Sequence, residues 1–167
     1  MITQITISVI SIAVSAVAVT ALIKQRRRKN KQLNMAKAYD QLVKECKLAI
    51  EHSEFLCYRY IGLDRKNKKL LLIDHSNNDK QELCIPLLDI GDSKIIYTKD
   101  ESQGIKTVLL ELRNKRTNKP VRFRFFDKEH DAAIELPTLS RKAIHWKTKV
   151  DIHKHPGNVS IEAEYVL

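Results

Sequence analysis

Glycine and proline are scarce, four of each in 167 residues, which excludes collagen-like and Pro/Gly-rich disordered chains. Three cysteines (Cys46, Cys57 and Cys84) cannot pair completely and stand far apart, so neither a disulfide scaffold nor a zinc site is expected. No phosphate-binding G-x-x-x-x-G-K-[ST], no dinucleotide G-x-G-x-x-G, no G-x-S-x-G and no H-E-x-x-H occurs. The expectation is therefore a protein with no catalytic residues, no cofactor and no metal. His145, His153 and His155 read as histidines favoured near a helix C-terminus. Glu129-His130-Asp131 reads as a polar loop before a helix. Charge is also missing locally: residues 1–23 carry none, and residues 24–31 carry six Lys/Arg and no acid, within a chain of net charge +10.

Every residue from Ile5 to Ile23 is Ile, Val, Ala, Leu, Ser or Thr. At 1.5 Å rise this stretch spans about 28 Å, close to the hydrocarbon thickness of a bilayer. Val and Ile favour strands in water, but in lipid the backbone must satisfy its own hydrogen bonds, so a helix is expected. A cleaved signal peptide needs a basic region before the apolar run, and only Met1–Gln4 precede it. Ser8, Ser11 and Ser15 share a helical face of small residues, the kind through which two membrane helices pair, so a homodimer is a candidate arrangement. The cluster Lys24, Arg26, Arg27, Arg28, Lys29 and Lys31 stays on the cytoplasmic side and attracts anionic lipid headgroups. The expected location is the inner membrane, single-pass, with the N-terminus outside and the C-terminal domain in the cytoplasm.

The remaining chain divides by periodicity. Residues 32–54 lack Gly and Pro, and Met35, Tyr39, Leu42, Cys46 and Ala49 recur at helical spacing, which predicts an amphipathic stalk helix. Residues 55–153 read as a strand-rich domain. Strands are predicted over Phe55–Asp64, Lys69–Asp74, Gln81–Pro86, Ile90–Thr98, Ile105–Arg113 and Val121–Phe126. Pro86 points to an edge and Gly91 to a bulge. Phe123 and Phe125 share a face with Val121, opposite Arg122 and Arg124. That arrangement suits a core and argues against nucleic acid, which would stack on exposed aromatics. The period then changes: Leu139, Ala143, Trp146 and Val150 predict a helix over Pro137–His153, with Trp146 plugging the strand core. Residues 154–167 read as a tail or a short edge strand.

The fold class is thus a transmembrane helix followed by an α+β domain: an antiparallel barrel or sandwich of six or seven strands closed by a C-terminal helix. That order, with YIGLDRKNKKLLLI as first hairpin and KAIHWKTKV as closing helix, resembles pleckstrin-homology (PH)-like domains. The chain is similar to a group of bacterial single-span membrane proteins of uncharacterised function with such a cytoplasmic domain. The resemblance implies that Arg65, Lys66, Lys68 and Lys69, in the hairpin turn, occupy the place where lipid-binding members grip phosphates. The expected function is a membrane-tethered module recognising a protein partner or anionic lipid, with a structural subunit of a membrane complex as the alternative.

Overall fold

The computed structural model describes Arg26 and residues 29–76 and 80–154. The span over residues 1–23 with its serine face, the cations Lys24, Arg27 and Arg28, and the C-terminal tail from residue 155 lie outside the described residues. No helix among the described residues is long and apolar enough to cross a membrane.

The first described helix, α1, covers residues 29–45. It ends well short of the expected residue 54, and the backbone shows why. Lys47 adopts a left-handed conformation (φ 51°), the Leu48 N–H bonds the Val43 carbonyl at 2.9 Å, and the Lys47 N–H bonds that of Lys44 at 3.2 Å. This is the Schellman stop, with lysine in the place glycine usually fills. The chain then turns back, and the Ala49 N–H bonds the Asp64 carboxylate at 2.7 Å.

Seven strands follow: β1 (His52–Leu56), β2 (Arg59–Asp64), β3 (Lys69–Asp74), β4 (Gln81–Pro86), β5 (Ile90–Lys99), β6 (Ile105–Asn114) and β7 (Pro120–Asp127). The single strand expected over Phe55–Asp64 is broken by the turn at Cys57–Tyr58, so the basic turn belongs to the second hairpin and not the first. All neighbours pair antiparallel, in a four-stranded sheet ordered β1-β2-β3-β4 and a three-stranded sheet ordered β5-β6-β7. Pro86 does lie on an edge strand, and the ladder is irregular between Ile90 and Asp92, around Gly91. A second irregularity matters more. Val108 pairs with Phe126 and Leu109 with Arg124, so Phe125 is an extra residue in β7. The bulge resets the alternation and buries Phe123, Phe125 and Phe126 together.

Helix α2 (Leu136–Lys154) packs on β5, β6 and β7. Its Leu139, Ala143, Trp146 and Val150 join Ile61, Leu63, Leu70, Leu72, Leu110, Phe123 and Phe125 in the main core. The four-stranded sheet has a second covered face. Tyr60, Leu71 and Ile73 point away from the main core and pack with Met35, Ala38 and Leu48. Because α1 lies on that face, β2 is buried at every residue and β3 at all but Lys69, without the in–out alternation of a half-exposed sheet. Gly62 belongs to this contact: a Cβ there would meet the Tyr60 ring at 2.9 Å and Ile50 Cδ1 at 3.3 Å.

Candidate functional site

The basic residues named from the sequence are not one surface. Lys31, near the start of α1, donates to the Ser76 carbonyl (2.9 Å) and lies over the Tyr58 ring (5.3 Å). Lys69 donates to the Cys46 carbonyl (2.8 Å), just past the other end of α1. The helix between them is about 20 Å long at 1.5 Å per residue. Arg26 and Lys29 are exposed at the first end. At the second end Arg65 faces Glu51 at 3.7 Å, and Asp64 anchors the turn by accepting from Asn67 N (2.8 Å) and Nδ2 (2.7 Å). Burial raises the Asp64 carboxyl, but these hydrogen bonds and that of Ala49 N outweigh it and hold it below the ordinary range. Lys69 therefore closes a helix end and Arg65 is paired, which leaves Lys66 and Lys68 as the turn's exposed cations with no ion pair among the described residues.

Of the histidines near the helix end, His145 and His153 lie among the described residues and His155 does not. His145 is exposed. His153 is partly buried, and burial, reinforced by the positive charges of Arg65 and Lys68, holds its ring below the ordinary value.

The most unusual polar arrangement lies elsewhere. Arg59 opens β2, directly after the Cys57–Tyr58 turn, and its side chain is 1% exposed. Its Nε donates to the Leu56 carbonyl (3.3 Å), and its Nη2 donates to both oxygens of Asp131 (2.5 and 2.6 Å). Asp131 also accepts from the Asp127 N–H (2.8 Å), which fixes the loop between β7 and α2. Arg59 Nη1 is buried and has no partner among the described residues. His130 Nδ1 is in the same state, with Asp127 Oδ2 3.6 Å away and beyond hydrogen-bond reach. Both residues line one cavity of about 210 Å³, with Phe55, Leu56, Leu139 and Lys142. Lys142 holds Glu54 at 2.6 Å.

Two neighbouring features are less suited to a ligand. Asp127, Glu129 and His130 bring metal-type ligand atoms within 4.8 Å of one another. However, the Asp127 carboxylate already accepts from Arg124 (2.7 Å) and Glu129 N (3.0 Å), so a guanidinium stands where a cation would. Burial pushes that carboxyl up, and these two bonds outweigh it and hold it low. An open groove of about 700 Å³ beside it is lined by Lys99, Asp100, Lys106, Lys128 and Glu129, and Lys128 crosses it to reach Asp100 at 2.6 Å.

The sequence marked His130 and Asp131 as loop chemistry and passed over Arg59. Its partner lies 72 positions away, and no local spacing encodes that contact. No family model, curated protein or solved structure matches the chain.

Proposed function

We propose that the chain is a membrane-tethered binding module at the cytoplasmic face of the inner membrane, recognising a protein partner or an anionic lipid. The observation that carries this reading is the docking of α1. In the sequence the apolar segment Ile5–Ile23 and the cluster Lys24–Lys31 directly precede or open a helix that is packed on the four-stranded sheet, and Lys31 itself bonds Ser76 and covers Tyr58. A tether joined this closely keeps the domain within a short reach of the surface, where a high effective concentration makes weak contacts sufficient. The four-plus-three strand arrangement with a C-terminal helix supports a PH-like domain, a fold suited to such recognition. The exposed cations Arg26, Lys29, Lys66 and Lys68 are the residues available to anionic headgroups.

Fusing a reporter active only in the cytoplasm to the C-terminus tests the reading, with a periplasm-specific reporter as its mirror. The cytoplasmic reporter is expected to be active and the fusion to stay in membranes after alkaline extraction. Activity of the periplasmic reporter, or release of the chain by alkali, overturns it.

A further inference from the structure

We propose that the cavity between the β1–β2 turn and the first turns of α2 binds a carboxylate, held by Arg59 Nη1 and His130 Nδ1. Among the described residues only three buried side-chain polar atoms lack a hydrogen-bond partner, and two of them belong to residues that line this one cavity. An unmet buried donor costs about 1–3 kcal/mol, more when it is charged, and a buried ion pair is often no more stable than an apolar pair of the same shape. Stability alone therefore does not account for a nearly inaccessible arginine with an unbonded N–H in the same cavity lining as a histidine whose Nδ1, 3.6 Å from Asp127, makes no hydrogen bond.

The geometry selects the ligand class. Asp131 takes Nη2 and the Leu56 carbonyl takes Nε, so the arginine offers Nη1 alone. His130 in its Nδ1–H tautomer offers one more donor. Two donors from two segments match the two oxygens of one carboxylate. A phosphate would bring up to two charges against Asp131 and Glu135, which also lines the cavity; one negative charge is the lesser cost. The first turns of α2 add the positive end of a 19-residue helix. With about 30 Å³ per water, the cavity has the room of roughly seven waters, enough for a carboxylate on a short carbon chain. Its lining includes exposed apolar surface, Phe55 at 59%. An aliphatic or peptide chain bearing the carboxylate would rest there.

This inference does not depend on the tether, so it stands or falls apart from the proposed function. The full chain in deuterated detergent micelles can be probed by saturation-transfer NMR with acetate and with succinate. Transfer to acetate is expected, with at least a fivefold loss in Arg59→Lys, which keeps a charge for Asp131 but removes Nη1, and in His130→Ala. Inorganic phosphate should displace acetate only in large excess. Displacement by a short peptide acid but not by its C-terminal amide would assign the carboxylate to a protein terminus; displacement by succinate alone would assign it to a small acid. Arg59→Lys risks the fold, so His130→Ala with an unchanged melting temperature decides. No transfer in the parent chain, undiminished transfer in that variant, or phosphate binding more tightly than acetate overturns the proposal.

Discussion

Glu111 shows how single charges are managed in this molecule. It sits on β6 with its side chain 1% exposed, yet no apolar core surrounds it. Its cover is three cationic side chains: Arg122 at 2.8 Å, Arg113 at 3.1 Å and Lys94 at 3.2 Å. The hydrogen bond from Arg122 leads in lowering its carboxyl, burial opposes, and Arg113 and Lys94 add to the lowering, which brings it from 4.5 to about 2. A folded-state value below the unfolded one means stability that is complete above about pH 4.5 and is lost as pH falls toward 2. The melting temperature of the parent chain is expected to drop across that window, and Glu111→Gln to flatten the drop while lowering the plateau at pH 7. A variant with the same acid limb as the parent would show that other carboxylates carry it. Part of this was legible: the alternation in Val121–Phe126 places Arg122 opposite the core. The acid it serves was not, because Glu111 reads as one more exposed charge in an amphipathic strand. Arg59 is the stronger case, since in FLCYRYIGLD it looks like the solvent-facing residue of a single strand.

Element boundaries were hidden for a related reason: the chain makes its turns with the wrong residue types. Lys47, Cys57, Lys68, Gln103 and Asn118 all have positive φ, and only Asn118 is of a type that favours it. The helix over 29–45 therefore stops without a glycine signal, and the β1–β2 turn interrupts an aromatic, β-branched run that reads as continuous. What survived was periodicity. Leu139, Ala143, Trp146 and Val150 are the buried stripe of α2, and KLLLID, apolar on both faces, is a strand covered on both faces. Because Lys47 is strained by its left-handed backbone, Lys47→Gly is expected to stabilise the chain by about 1 kcal/mol, the penalty a non-glycine residue bears there being roughly 1–2 kcal/mol. Lys47 enters the bonds at this helix end through its backbone N–H and carbonyl, which glycine keeps, including the bond from Asn67 Nδ2 to the Lys47 carbonyl. Lys47→Val should destabilise instead. Denaturant unfolding of the three proteins measures both, and a destabilised glycine variant would show that the lysine side chain outweighs the backbone strain.

At the scale of the whole molecule the four-stranded sheet is covered on both faces: α1 lies on one, and the other shares the main core with the three-stranded sheet and α2. On β2 and β3 the face under α1 is as dry as the one toward the main core, with Leu71 and Ile73 at 0% and Tyr60 at 3%. What the sequence presents as a stalk is therefore a structural layer, and Lys31 and Lys69 near its two ends are tied to the domain by hydrogen bonds to backbone carbonyls. Burial of each apolar side chain stabilises by roughly 1.5–3 kcal/mol. Met35, Tyr60, Leu71 and Ile73 together thus contribute roughly 6–12 kcal/mol, comparable to the about 5–15 kcal/mol by which a domain is stable at all. Removing α1 should accordingly do more than shorten the tether. A chain beginning at residue 29 is expected to melt cooperatively and to leave a hydrophobic dye dark. A chain beginning at residue 48 lacks the cover over Tyr60, Leu71 and Ile73, and is expected to bind the dye and to lose its cooperative transition. Both lack the apolar N-terminal segment, so detergent does not confound the comparison. Were the shorter chain to melt as sharply as the longer, α1 would be a connector lying against a sheet that folds without it.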